Sequence, residues 1–229
     1  MTTDEFARRV DHTALRPDAT RQDVETLCRE ARDFRFAAAC VAPVWVSLAS
    51  KLLRETSSRV CTVIGFPHGT TLPAAKACEA REALEAGADE LDMVVAVGLL
   101  ASGDVDAVRR DIAGVVEAAR RRPGAIVKVI LETSLLSDAQ KILGCRLAEE
   151  AGADFVKTST GFGPGGATAE DVALLAKSVG GRLGVKAAGG IGSLDFALQL
   201  LDAGATRLGC SASVDLARDL ARRSRSSES

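Results

Sequence analysis

Four charged side chains interrupt stretches that are otherwise apolar. They are Asp92 in Glu90-Leu91-Asp92-Met93-Val94, Lys128 in Ile126-Val127-Lys128-Val129-Ile130, Lys157 in Asp154-Phe155-Val156-Lys157-Thr158, and Lys186 in Val185-Lys186-Ala187-Ala188. A lysine buried in such a stretch is costly as a cation, because desolvation disfavours its charged form. It is either paired or used neutral, as a nucleophile. The three lysines are evenly spaced, 157 − 128 = 29 and 186 − 157 = 29. That interval is about one strand-plus-helix unit, so consecutive strands are expected to carry a lysine at equivalent heights. Ammonium groups crowded together disfavour each other's protonation, so one of them gives up its proton more easily. The neutral amine can attack a carbonyl and form an imine, whose cation draws electrons from the adjacent carbon. Asp92 would relay the proton, directly or through water. Spacing alone does not choose the nucleophile among the three lysines. The competing reading is an inward salt-bridge network of Glu90, Asp92 and the lysines that only fills a barrel. Three lysines on consecutive strands, together with an acid, favour chemistry.

Glycine-bearing segments follow the last apolar stretches. Thr160-Gly161-Phe162-Gly163 comes after Lys157, Gly189-Gly190-Ile191-Gly192-Ser193 after Lys186, and Gly209-Cys210-Ser211-Ala212-Ser213 closes the final one. Glycines let backbone N–H groups approach an anion, and the helix N-termini behind them favour it. Each run alone reads equally as a tight turn. Together they favour a phosphorylated small-molecule substrate.

The elements that must carry these residues alternate strictly. A short helix at 3–9 precedes a strand at 10–13. A helix then runs from a cap at 17–20 to about 33, and an apolar run at 36–41 leads to a helix through Val46, Leu48 and Leu53. Strands at 60–65, 90–95, 126–131, 183–188 and 206–210, and one around Lys157, alternate with helices at 73–86, 104–122, 137–151, 169–178 and 194–203, and a short final helix. The strands read as short β-branched runs, and the helix at 104–122 as an amphipathic stripe. The phrases Glu85-Ala86-Gly87-Ala88-Asp89, Glu150-Ala151-Gly152-Ala153-Asp154 and Asp202-Ala203-Gly204-Ala205-Thr206 recur between a helix and a strand, as βα units produce. Eight strands, each followed by a helix, predict an α/β fold. It is a parallel (β/α)8 TIM barrel, a single domain over 1–220 with a short N-terminal helix. The polar tail at 221–229 is expected to fray. An open doubly wound sheet is disfavoured because no G-x-G-x-x-G follows the first strand. Chemistry is expected at the C-terminal mouth of the barrel.

Composition narrows the function. The 229 residues suit one large domain. The net charge, 29 − 31 = −2, makes no case for nucleic acid or a membrane surface. Aromatic residues are 3% with no tyrosine, which leaves no base-stacking platform. The six cysteines have no C-x-x-C spacing and read as buried thiols in a reducing compartment. Residues 1–13 hold no apolar signal core, and no apolar run reaches the about 20 residues that span a bilayer. A cytoplasmic protein is expected. His12 and His68, the two histidines, have no matching ligand spacing, so no metal site is expected. His12 reads as a structural hydrogen-bonding residue and His68 as a solvated turn residue. Lys76 reads as a surface or ion-pair residue, and Cys40 as a packing residue near a strand end that is able to line a pocket.

Six segments carry a resemblance: Val10-Asp11-His12-Thr13; Thr62-Val63-Ile64-Gly65-Phe66-Pro67-His68-Gly69; Gly87-Ala88-Asp89-Glu90-Leu91-Asp92-Met93-Val94; Lys128-Val129-Ile130-Leu131-Glu132-Thr133; Asp154-Phe155-Val156-Lys157-Thr158-Ser159-Thr160-Gly161-Phe162; and Val185-Lys186-Ala187-Ala188-Gly189-Gly190-Ile191. In this order, over nearly the whole chain, they resemble the deoxyribose-phosphate aldolase family. The resemblance implies a class I aldolase on a TIM barrel that needs no metal or organic cofactor. It implies reversible cleavage of 2-deoxy-D-ribose 5-phosphate to acetaldehyde and D-glyceraldehyde 3-phosphate, in a monomer or homodimer. By position, Lys157 resembles the Schiff-base lysine, Lys186 the neighbour that eases loss of its proton, and Asp92 the proton-relay carboxylate. Asp11 and Thr13 match positions near the substrate hydroxyls. Gly161, Gly189, Gly190, Gly209 and Ser211 match the phosphate site, and Cys40, Lys128 and Thr158 are carried as further substrate-site residues. Gly192 stands where many members have an arginine, and no tyrosine is present for a C-terminal tail to bring to the site. Two other readings remain beside this one: a Schiff-base aldolase with a different acceptor aldehyde, and a non-catalytic sugar-phosphate-binding barrel.

Overall fold

Short apolar runs in the chain become eight strands: β1 (Val10–Ala14), β2 (Ala38–Val41), β3 (Arg59–Ile64), β4 (Glu90–Val94), β5 (Ile126–Ile130), β6 (Phe155–Lys157), β7 (Gly184–Ala188) and β8 (Arg207–Cys210). A computed structural model describes residues 1–226. All neighbouring strands are parallel, their order follows the chain, and β8 pairs back to β1, so the sheet closes into a barrel. Ten helices lie among the described residues: α1 (Thr3–Ala7), α2 (Arg21–Phe34), α3 (Val46–Leu52), α4 (Pro73–Glu85), α5 (Val97–Ala101), α6 (Val105–Ala119), α7 (Asp138–Glu150), α8 (Ala169–Val179), α9 (Leu194–Asp202) and α10 (Ser213–Ser226). Every strand is followed by at least one helix, as parallel neighbours require. The alternation read from the sequence is the architecture observed.

Local chemistry starts the helices where they begin. Thr2, Thr20 and Ser137 each close a capping box with the residue three positions on. Pro73 opens α4, where its missing N–H costs nothing. Gly87, Gly152 and Gly204 of the recurring phrase all have positive φ, which turns the chain from helix end to strand start.

A short helix that the alternation did not include, α5, follows β4 and buries Leu100. Two expectations change. The last helix is not short. It runs 14 residues through Ser226, with Leu216, Ala217 and Leu220 buried, so the chain stays helical beyond position 220. Residues 227–229 of the expected tail lie outside the described residues. The lysines are also not in one row. Lys157 pairs with Lys186 across the ladder, but Lys128 pairs with Phe155, and Ile130 with Lys157. Inward positions recur every second residue, so Lys128 sits one inward step below Lys157. Equal spacing in sequence does not impose equal register when the intervening helices and turns differ.

The apolar core lies mainly between the barrel and its helices. Inside the barrel, β2 and β3 contribute a small apolar patch of Ala38, Cys40, Cys61 and Val63. Charged side chains from β1 and β4 to β8 stand beside it, with the buried Val94 and Ile130 one inward step above Asp92 and Lys128.

Candidate active site

Asp92 on β4 is the hub of that interior. Its Oδ2 accepts from Lys157 Nζ at 2.9 Å and from Lys186 Nζ at 2.7 Å. Its Oδ1 accepts from Lys128 Nζ at 2.8 Å and from the Cys61 thiol at 3.2 Å. Below it, Lys128 also meets Glu90 Oε2 at 2.6 Å and Asp11 Oδ2 at 3.5 Å. Lys186 reaches Asp11 Oδ2 at 2.5 Å. Arg207, at the start of β8, closes the floor against Asp11 Oδ1 at 2.6 Å and Glu90 Oε2 at 3.3 Å. The inventory is four cations, Lys128, Lys157, Lys186 and Arg207, against three carboxylates, Asp11, Glu90 and Asp92. Arg59 adds a more distant contact to Glu90 Oε1 at 3.9 Å from the solvent side.

Partners decide the charge states of the buried members. Burial alone would push Asp92 up, but Lys128, Lys157 and Lys186 hold it well below the usual carboxylate range. Asp11 is likewise depressed, with Lys186, Lys128 and Arg207 overcoming burial. Burial works against the charge of Lys128 and Lys186. Asp92 and Asp11 nevertheless hold both lysines above the ordinary lysine value, helped at Lys128 by Cys61 and Glu90. Cys61 is pushed well up by burial, its Cys40 contact and Asp92, so it remains a thiol donor. Lys128 and Lys186 are therefore fixed cations.

Above the cluster lies a cavity of about 750 Å³ at the C-terminal ends of the strands, and Lys157 is the only lysine lining it among the described residues. Thr13, Gly161, Gly189, Gly190, Gly209 and Ser211 line it as well. Gly161 and Gly189 have φ of 85° and 89°, and a Cβ built on Gly189 would stand 3.0 Å from the Cα of Gly166. Glycine is required there for the close approach of two turns. The cavity thus has a Lys157 amine at its floor and glycine backbone around its rim.

Other expected residues lie elsewhere. Asp11 and Lys128 are wholly buried beneath the cavity and do not line it. Thr158 is a brace between β6 and β7: its Oγ1 donates to the Ala188 carbonyl at 3.2 Å and accepts from the Ala188 N–H at 3.1 Å. Cys40 packs beside Cys61 in the interior patch, away from the cavity. His12 Nε2 lies 2.9 Å from Glu30 Oε2, and His68 is exposed. Lys76 is not a surface residue but a fully buried ion-pair partner of Asp111. Two donor sets, Cys40/Cys61/Asp92 and Asp11/Cys61/Glu90, have ligand atoms within 4.8 Å of one another. In these sets the lysines hold both Asp92 oxygens, Asp11 Oδ2 and Glu90 Oε2, and Arg207 holds Asp11 Oδ1. Arg207 escaped the spacing pattern because 207 − 186 = 21 departs from the 29-residue interval. A charged residue at the head of an apolar strand was its only signal. Arg16, which also lines the cavity, lies in a turn that carries no pattern. No helix among the described residues is long and apolar enough to cross a membrane.

An amine at the floor of a barrel-mouth cavity, above a carboxylate shared with a second lysine, defines a carbonyl-condensing (β/α)8 enzyme, an aldolase by class. A family model described as DeoC/LacD family aldolase matches residues 6–212. Deoxyribose-phosphate aldolase 1 of Bacillus licheniformis is 51% identical over 218 residues, which cover 95% of this chain and 97% of that protein. The deoxyribose-phosphate aldolase of Caldanaerobacter subterraneus is 49% identical over 93% of each chain. Among solved structures, the tetrameric deoxyribose phosphate aldolase from Aeropyrum pernix superposes with a TM-score of 0.89 at 40% identity, covering 95% of this chain and 92% of that one. The chain belongs to the DeoC/LacD family of aldolases.

Proposed function

We propose that this aldolase reversibly cleaves 2-deoxy-D-ribose 5-phosphate to acetaldehyde and D-glyceraldehyde 3-phosphate through a Schiff base on Lys157. The observation that carries the site assignment is that Lys157 alone of the three interior lysines faces the cavity. Charge supports it. With Lys157 neutral, three interior cations, Lys128, Lys186 and Arg207, stand against three carboxylates. The neutral amine adds to the C1 aldehyde and water leaves, giving an iminium. Loss of the C3 hydroxyl proton then breaks the C2–C3 bond. Its electron pair moves into the iminium to form the enamine, and D-glyceraldehyde 3-phosphate departs. Protonation at C2 and hydrolysis release acetaldehyde and restore the amine. The iminium is its own electron sink, so no metal or organic cofactor enters. Asp92 Oδ2 accepts from Lys157 Nζ, so this carboxylate lies one hydrogen bond from the amine that gains and loses a proton in the cycle.

Thr13 and the buried Asp11 beneath it serve the sugar-hydroxyl end in this reading. Gly161, Gly189, Gly190, Gly209 and Ser211 serve the phosphate. Cys40, Lys128 and Thr158 support the wall and floor rather than touch substrate. Borohydride reduction in the presence of acetaldehyde tests the assignment. A stable mass increase on the Lys157 peptide is expected, and an adduct that persists at equal yield in Lys157→Ala refutes it. Gly192 in the cavity lining leaves room for a different acceptor aldehyde, and a donor and acceptor panel separates that reading from the first. We further infer a cytoplasmic monomer or homodimer; light scattering that returns a tetramer would replace the latter.

A further inference from the structure

Glu132 lies two residues past the end of β5 and is one of three non-glycine residues among the described residues with a left-handed backbone, at φ 58°. Such a backbone disfavours a residue with a Cβ and persists only when its surroundings impose it. The side chain is 4% exposed. Its Oε2 accepts from the Thr160 N–H at 3.2 Å and from the Thr160 hydroxyl at 2.5 Å, while Oε1 is buried without a hydrogen-bond partner. A half-satisfied buried carboxylate is a poor stabilising device, so the fold alone does not explain it. Its surroundings are built to receive it. A Cβ on Gly163 would come 2.8 Å from the Glu132 carboxyl carbon. Thr160 Oγ1 passes the contact on by accepting from the Phe162 N–H at 3.0 Å.

The segment held in this way leads from the amine to the rim of the cavity. Residues 158–167 contain no helix or strand. Their far end is tied by the Ala167 N–H to the Gly189 carbonyl at 3.0 Å. Their near end rests on Glu132. Between the two ties stand Gly161 and Phe162, which line the cavity with Lys157. Phe162 leans edge-on against Phe66 at 5.3 Å.

We propose that Glu132 is a positioning residue for substrate binding: its carboxylate sets the turn at 160–163 and thereby places Gly161 and Phe162 around the phosphate-bearing part of the substrate. This rests on the sugar-phosphate reading above. The imine site does not depend on it, because Lys157 precedes the turn and is held by Asp92.

Steady-state cleavage of 2-deoxyribose 5-phosphate and of unphosphorylated 2-deoxyribose, with borohydride trapping of acetaldehyde, tests the assignment on Glu132→Ala, Glu132→Gln and Thr160→Val. Glu132→Ala is expected to raise KM for the phosphorylated sugar about tenfold, the loss of one charge-assisted hydrogen bond. Its trapping yield on Lys157 and its KM for 2-deoxyribose should stay within about twofold of wild type. Glu132→Gln, which keeps an acceptor for Thr160, should recover most of the loss. Thr160→Val keeps the backbone N–H to Glu132 but removes the hydroxyl that links Glu132 to the Phe162 N–H, and should raise KM in the same direction even if Glu132→Ala does not fold. An unchanged KM in Thr160→Val, or equal losses on both sugars and in trapping, overturns the proposal. If the wild type itself neither traps acetaldehyde nor cleaves the phosphorylated sugar, the functional reading fails instead.

Discussion

Lys76 and Lys157 are both buried, and each donates to a carboxylate: Lys76 Nζ to Asp111 Oδ2 at 2.7 Å, Lys157 Nζ to Asp92 Oδ2 at 2.9 Å. They differ in what else is present. The Lys76 pair is closed between α4 and α6. It is one cation to one anion, with the Val94 carbonyl accepting from the lysine and the Ala96 N–H donating to Asp111 Oδ2, while Asp111 Oδ1 is buried without a hydrogen-bond partner. No cavity reaches either side chain among those described. Burial pushes Lys76 down and Asp111 up, so desolvation outweighs the attraction. In the barrel, burial is outweighed instead, and Asp92 is driven well below the carboxylate range. Three lysines crowd one aspartate there, and the lysine at the cavity shares its oxygen with another. A buried charged pair is thus ordinary architecture. A surplus cation facing a cavity is chemical equipment.

The two regions should respond in opposite ways to substitution. Lys157→Ala is expected to cut turnover by about a thousandfold or more, since it removes the covalent partner, and to abolish borohydride trapping while the protein stays folded by circular dichroism. Retained trapping would remove Lys157 from its role. Asp111→Ala should do the reverse. An uncompensated buried ammonium costs about 3–5 kcal/mol, read as a lower Tm and denaturation midpoint, while kcat measured where the protein is folded holds. Replacing the pair together, Lys76→Met with Asp111→Leu, should return stability to within about 1 kcal/mol of wild type. A double variant as weak as the single would mean that the pair does more than satisfy itself.

That contrast also measures what a sequence can disclose. Strand and helix alternation was legible because short β-branched runs and glycine-ended helices are local signals. The inward lysines were legible because a charge inside such a run must be paired or put to chemical use. Ladder register was not legible. Lys128 lies one step below Lys157 because strand pairing is decided by packing between elements. Lys76 was legible as an ion-pair residue, but its burial and its partner were not, for the same reason. Its partner Asp111 is 35 residues away on another helix, and no periodicity links the two. Arg207 and Glu132 act through contacts 196 and 28 residues distant. Nothing local distinguishes them from ordinary strand-end charges. Asp11 and Ser211 were marked as site candidates by family resemblance rather than by any pattern of their own.

A smaller effect sharpens the comparison inside the barrel. Lys186 is a fixed cation, held by Asp11 and Asp92 against its burial. Lys186→Met leaves Lys128, Lys157 and Arg207 facing three carboxylates, so the surplus interior cation is gone. Imine formation with acetaldehyde at neutral pH should therefore fall, and recover at more alkaline pH. Trapping yield against pH reads this directly. A superimposable profile would show that Lys186 does not govern imine formation at Lys157, and would leave it a structural partner of Asp11 and Asp92.

The smallest effect belongs to the closed pair and has a distinctive sign. Burial raises the Asp111 carboxyl above its ordinary value. In the window between the unfolded value, about 4, and the raised folded value, the native state binds the proton that the unfolded state has released. The stabilisation from this group is thus present below the unfolded value and is lost as pH rises through the folded one. Asp92 and Asp11 have the opposite sign. Both are depressed, so their contribution is present above about pH 4 and is lost as pH falls. The wild type alone therefore loses stability in acid. The difference between wild type and the Lys76→Met/Asp111→Leu variant cancels the barrel term, which the two proteins share. That difference should shift in favour of wild type as pH falls from neutrality toward 4, measured as Tm in matched buffers. A difference that moves the other way would mean that Asp111 stays charged in the fold as Asp92 does, and would erase the distinction drawn between the two regions.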